Sequence, residues 1–168
     1  MATRINNLQG EEIYSTDRAY GDLGITVFCA VIQGKSLDNA DLRKIDLRKA
    51  NMRFISPTTF NGADFDGSLI SSNDMTHKLK GANLMGALLF IKGFRSPDIT
   101  VEIKRPPLFL SHNDDQIVVV HDWIIIHKGA SPTINGGTIE GQRAYWDENP
   151  CPAWRHYREQ ILDAINAP

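Results

Sequence analysis

The sequence predicts a mainly β protein: a short solenoid of stacked five-residue repeats, followed by a small β segment and a C-terminal helix. Three observations predict it. From Leu37 to Leu89 an apolar residue recurs every five positions, with a small residue two places before it and often Asp or Asn one place before it. Beyond residue 94 that spacing gives way to β-prone runs such as Ile99-Thr100-Val101-Glu102-Ile103 and Trp123-Ile124-Ile125-Ile126. Finally, Trp154, Tyr157, Ile161, Leu162 and Ile165 fall at helical spacing behind Pro150 and Pro152.

A period of five fits neither a helix at about 3.6 nor a strand at about 2. Repeats this short bury their apolar side only by stacking on neighbours, which is the logic of a solenoid. Three registers can be followed. The first is centred on Val27, Ile32, Leu37, Leu42, Leu47 and Met52. A three-residue slip at Ser56-Pro57-Thr58, read as a loop protruding at a corner, leads to Phe60, Phe65, Ile70 and Met75. A one-residue deletion near Thr76-His77 leads to Leu79, Leu84, Leu89 and Phe94, giving fourteen centres in all. Ala30, Ala40, Ala50, Ala63, Ser68, Ala82 and Ala87 supply the small partner, and bulkier Ile45 and Ile55 predict local widening.

The runs Ala40-Asp41-Leu42, Ala50-Asn51-Met52, Ala63-Asp64-Phe65 and Ala82-Asn83-Leu84 resemble the pentapeptide-repeat family, over about 70 of the 168 residues. The resemblance implies a right-handed quadrilateral β-helix, one pentapeptide per side and four per coil, with the central and the small residue both turned inward. Fourteen faces would make about three and a half coils, a rod of roughly 17 Å at ordinary strand spacing.

On this reading residues 1–21 form a lead-in or cap, 22–94 the β-helix, and 95–168 an appendage of β-strands, a loop and a capping helix. Open solenoid ends invite edge-to-edge pairing, so both flanks are expected to cap. The lead-in is expected to be irregular or extended. In the appendage, Leu108-Phe109-Leu110 and Ile117–Val120 flank the turn signal His112-Asn113-Asp114-Asp115, which predicts a hairpin. Trp123–Ile126 adds a strand, Gly129–Gly141 reads as a loop, and the helix runs from about Pro152 to Asn166, its apolar face laid across the hairpin or the coil's end. A short β segment before such a helix resembles the tail of small phage and prophage members of the family, which implies a phage or prophage origin.

Composition narrows the function classes. The chain carries 18 bases and 20 acids, for a formal net charge of −2, without the excess of either sign that marks a nucleic-acid binder or a DNA mimic. No apolar run approaches the roughly 20 residues of a membrane span. Met1–Tyr20 holds five charges and lacks the apolar region of a secretory signal, and Cys29 and Cys151 sit in no metal or redox spacing. A cytoplasmic protein with reduced thiols, no cofactor and no metal is expected.

Nothing in the sequence assembles an active site, so the chain is expected not to be an enzyme. His121 and His127 share parity on one presumed strand, but six residues of strand span about 20 Å, too far for one ion. Cys151 could meet His156 one helical turn away, with no third group to orient the pair. Charge distribution says more. Residues 22–94 hold seven acids and nine bases, whereas residues 95–168 hold ten acids and seven bases. Arg43, Lys44, Arg48, Lys49 and Arg53 occupy outward positions of successive faces and form a basic collar in a square coil. Solvated charges that suppress edge pairing account for such a collar, and so does a docking site for an acidic partner.

The expected function is therefore a non-catalytic protein-binding module, a phage-encoded inhibitor or modulator of a host bacterial enzyme, binding through the collar. The alternative is weak, salt-sensitive nucleic-acid binding through the same residues. The best-known role of the family, mimicry of DNA at gyrase by a long acidic β-helix, is disfavoured by a short rod with slightly basic repeats. A homodimer through Trp123–Ile126 or the helix face remains an open alternative.

Overall fold

The computed structural model describes residues 2–19, 21–52, 58–92, 97–112, 115–128, 137–138 and 152–166. The chain is mainly β and divides into two compact units, Met1–Lys104 and Arg105–Pro168.

The first unit begins with an antiparallel hairpin of β1 (Thr3–Asn6) and β2 (Glu12–Thr16), where extended or irregular chain was expected. Its turn is held by Asn7, whose Oδ1 accepts from the Gln9 and Glu11 amides. The hairpin continues into the repeats: the Asp41 amide donates to Asn6 O at 2.8 Å, and Asn7 bridges Ala40. Between them lies α1 (Leu23–Ile32). Val27 and Ile32, expected as the first two centres of the repeat, belong to this helix, which corrects the register at its start. Asp22 caps it, its Oδ1 accepting from the Ile25 amide at 3.1 Å. Gly34, at φ 64, ends it: its amide donates to Val31 O while the Lys35 amide donates to Ala30 O. Ten residues without a charge make a helix apolar all round, a composition that calls for burial. Val27, Ala30 and Val31 are fully buried, while Ile32 is left 53% exposed.

From Leu37 onward the chain returns on itself in parallel. Asp41 bridges Asp64, which bridges Asn83; Asp46 bridges Leu69, and Leu69 pairs with Leu88. The offsets are 23 and then 19 residues in both columns. Taken against four pentapeptides, these are the three-residue slip and the one-residue deletion read from sequence. Leu37, Leu42, Leu47, Met52, Phe60, Phe65, Ile70, Met75, Leu79 and Leu89 are all fully buried, and Leu84 nearly so. The rings of Phe60 and Phe65 on successive faces meet at 5.8 Å.

The period of five has a local cause. After most centres the chain makes a β-turn, with the amide of the next small residue donating to the carbonyl of the centre: Ala40 to Leu37, Ala50 to Leu47, Ala63 to Phe60, Ser68 to Phe65, Ala82 to Leu79 and Ala87 to Leu84. Lys80 at φ −64, ψ 122 followed by Gly81 at φ 97 is a type II turn. The third position is left-handed in the turns at Asn39, Gly62 and Gly81 and in those at Gly67 and Gly86, and Lys44 takes the same conformation in that second column; Lys49, third in the Leu47–Ala50 turn, does not. The Asp or Asn before each centre has its own task. Asp41, Asp46, Asp64 and Asn83 each accept, through Oδ1, the backbone amide two residues on.

The stack ends in a three-stranded sheet of β3 (Leu69–Ser71), β4 (Leu88–Ile91) and β5 (Ile99–Glu102). Here β3 and β4 are parallel, and β5 turns back antiparallel on β4. The strand at Ile99–Glu102, expected in the appendage from residue 95, therefore belongs to the first unit.

The second unit is an antiparallel sheet of β6 (Leu108–His112), β7 (Asp115–Val120), β8 (Trp123–Lys128) and β9 (Gly137–Thr138), in that order, with α2 (Pro152–Asn166). The expected hairpin, strand and helix are present; β9 lies within the stretch read as a loop. Pairing of Ile117 with Ile126 and of Val119 with Ile124 aligns one apolar face. Ile161 of α2 packs into it with Leu110, flanked by Tyr157 and Leu162. The Tyr157 hydroxyl donates to Ser111 O. The Ser56-Pro57 corner, Phe94, Cys151 and the Trp154 side chain lie outside the described residues.

Candidate functional site

Four of the five collar residues are described, and all four stand on the outer surface of the stacked turns. Arg53 lies outside the described residues. The structure does not leave the four as bare positive charge. Arg43 follows Asp41 by two positions, as Arg48 follows Asp46, and in each pair the Asx-type turn brings the two side chains together. Arg43 donates from Nε and Nη2 to the two Asp41 oxygens at 2.8 and 2.7 Å. Arg48 does the same to Asp46 at 3.0 and 2.7 Å. These two-point hydrogen bonds hold both carboxyls below the usual carboxylate range, against a smaller opposing effect of burial.

The pairs differ in what lies beyond them. Asp64 stands under Asp41, and its Oδ2 is 4.0 Å from Arg43 Nε; its Oδ1 accepts from Asn83 Nδ2 at 3.0 Å. Arg43 is thus set into a ladder of acids and amides. Arg48 extends the other way, its Cζ 5.3 Å from the centre of the Phe90 ring. The bridge offsets place Arg48, Ser71 and Phe90 in one column, so the guanidinium reaches past Ser71 to the aromatic ring. Lys49 is 3.7 Å from Asp22, the cap of α1. Lys44 sits at a corner with φ 59, and no ion pair engages it among the described residues.

Arg48, Lys49, Asn51, Ser71, Asn73 and Asp74 line an open polar depression of about 250 Å3. Sequence reasoning found its two cations and missed Phe90, Ser71 and Asn73. The available signal was columnar: each of Arg48, Ser71 and Phe90 directly follows a repeat centre. At the one-residue deletion, the Lys78 ammonium is enclosed with no hydrogen-bond partner among the described residues, and burial pushes its pKa down.

The other sequence candidates are not brought together. His121 lies in the turn between β7 and β8 at φ 52, so it shares no strand with His127. Cys29 is buried in α1. His156 meets Tyr157 edge to face at 4.5 Å, while Cys151 lies outside the described residues. Among the described residues no group of three His, Cys, Asp or Glu could hold a metal, and no helix is long and apolar enough to cross a membrane.

Comparison with known proteins returns no matching family model, no matching curated protein and no matching solved structure.

Proposed function

We propose that this chain is a non-catalytic protein-binding module whose first unit is a short right-handed quadrilateral β-helix of the pentapeptide-repeat kind. The constant offsets of 23 and 19 residues, the turn after most buried centres and the inward Leu and Phe columns support that architecture. The observation that carries the functional reading is the pinned pair of arginines. Arg43 and Arg48 are held flat by two-point bonds to Asp41 and Asp46 on a scaffold whose backbone is hydrogen-bonded rung to rung. Such a surface loses little side-chain entropy on docking, which favours recognition of a shaped, charged protein surface. Asp41, Asp46 and Asp64, set in among the cations, repel a continuous phosphate backbone laid along this face, which disfavours the nucleic-acid alternative. On this reading the partner is a bacterial host enzyme in the cytoplasm, and the module is a phage-encoded inhibitor or modulator of it.

The test is a tagged pull-down from nuclease-treated bacterial lysate, read by mass spectrometry. A variant with Arg43, Lys44, Arg48, Lys49 and Arg53 changed to Ala runs alongside. A specific bacterial protein captured by the parent and lost by the variant is the expected result. Capture by both proteins would move the site off this face. Failure of both to capture any protein, with salt-dependent retention of nucleic acid, would overturn the reading in favour of its rival.

A further inference from the structure

The depression beside Arg48 has unspent donors and a rigid wall. Asp46 takes Nε and one hydrogen of Nη2. A guanidinium has five N–H donors, so the outer edge of Nη1 and Nη2 is left over. No other hydrogen bond or ion pair engages Arg48 among the described residues, while Asp46 and the Phe90 ring fix its position. Across the depression, Ser71 Oγ accepts from the Asn73 amide at 3.3 Å, which leaves its hydroxyl proton free. The Asn73 side-chain amide makes no hydrogen bond among the described residues, and Lys49 at 3.7 Å from Asp22 stands beyond direct hydrogen-bond distance. The unused groups, drawn from two stacked turns, therefore offer donors: the Arg48 edge, the Lys49 ammonium, the Ser71 hydroxyl and the Asn73 Nδ2–H. Asp74, buried at the margin, opposes a further negative charge and limits the affinity for a free anion to the order of millimolar.

We propose that this depression is an oxyanion pocket that receives one carboxylate from an acidic side chain of the partner protein. The Nη1/Nη2 edge of Arg48 offers two parallel N–H groups, the geometry a carboxylate takes in a fork-to-fork pair. Lys49, Ser71 and Asn73 donate from the sides. Arg43, which has the same bond to its own Asp, is not among the residues that line this depression. The pocket deepens the protein-binding reading and rests on it for the source of the carboxylate.

The test is a titration of the full-length 15N-labelled chain with sodium acetate, sodium phosphate and sodium chloride at matched ionic strength. It reads the backbone amides of Ser71 and Asn73 and the Arg48 Nε–H. Acetate should give saturable shifts at millimolar concentrations that chloride does not reproduce. Arg48→Met should weaken them about tenfold and Asn73→Ala, which leaves the turn's backbone bond in place, about threefold. Arg43→Met should change nothing. Linear shifts like those of chloride, or shifts that survive Arg48→Met, would overturn the pocket. Saturation by phosphate alone would overturn the carboxylate assignment. If acetate saturates but the pull-down captures no protein, the pocket stands and the binding-module reading falls.

Discussion

Lys44 occupies a backbone conformation that its neighbours in the column assign to glycine. Its φ is 59, and Gly67 and Gly86 below it have φ 64 and 76. A side chain with a Cβ costs about 1 kcal/mol in this region, and no ion pair among the described residues offsets it. Lys44→Gly should therefore raise stability by about 0.5–1 kcal/mol, read as an increase in Tm by circular dichroism. The opposite change should do the reverse. At Gly62, φ is 70 and an added Cβ would stand 2.5 Å from Asn39 Oδ1, so Gly62→Ala should cost about 1–3 kcal/mol. An equal Tm for Lys44→Gly and the parent would show that this corner bears no strain. The glycine signal was present in the sequence at Gly62, Gly67, Gly81 and Gly86. It reads as a turn position only once the centre-to-small-residue hydrogen bond is known.

Elements show where local pattern and tertiary context part. Val27 and Ile32 fit the period of five as well as Leu37 does, yet they lie in α1. Asp22 as cap and ten uncharged residues were the competing signal, and helix formation won although five of the ten are β-branched. Propensity is a weak prior where burial supplies the energy. In the second unit the sequence predicted α2 with the bounds observed, because proline fixes the start and the apolar spacing fixes the face. Ile161 anchors that face between Leu110, Ile117, Val119, Ile124 and Ile126. Ile161→Ala should cost about 2–5 kcal/mol. All three tryptophans, at 123, 146 and 154, fall in the second unit, so the loss should appear as a lower urea midpoint by Trp fluorescence. An unchanged midpoint would mean that α2 does not stabilise the sheet.

At the scale of the whole molecule, charge alternates rather than accumulates. The count of nine bases to seven acids in residues 22–94 suggested a positive collar, but Asp41, Asp46, Asp64 and Asp22 are folded in among the cations. The arrangement predicts an acid-labile protein. Asp41 and Asp46 have lower pKa values folded than their ordinary value near 3.8. The folded state thus binds fewer protons, and the stabilisation is complete above that ordinary value. It is lost as pH falls through the lowered folded values, so urea stability should decline below about pH 4. The double variant Arg43→Met/Arg48→Met should show a flatter acid limb and, by the same linkage, a loss of equal size at pH 7, small because exposed pairs contribute little. An identical acid limb in parent and variant would assign the pH dependence to other carboxylates.

The sequence by itself indicated that the chain returns on itself: from Leu37 onward a five-residue spacing of large residues, each with a small residue two places before it, matches neither helix nor strand periodicity, and its two slips match the offsets of 23 and 19. It also determined α2 and most of the second sheet, whose signals are contiguous. Only the tertiary structure decided that α1 replaces the first repeats, that β5 closes the first unit, and that Arg48 is shared between Asp46 and Phe90. Each of these depends on partners brought near by the turns of the stack rather than by adjacency in sequence. Phe90 lies 42 residues from Arg48 along the chain and within 5.3 Å of it in space.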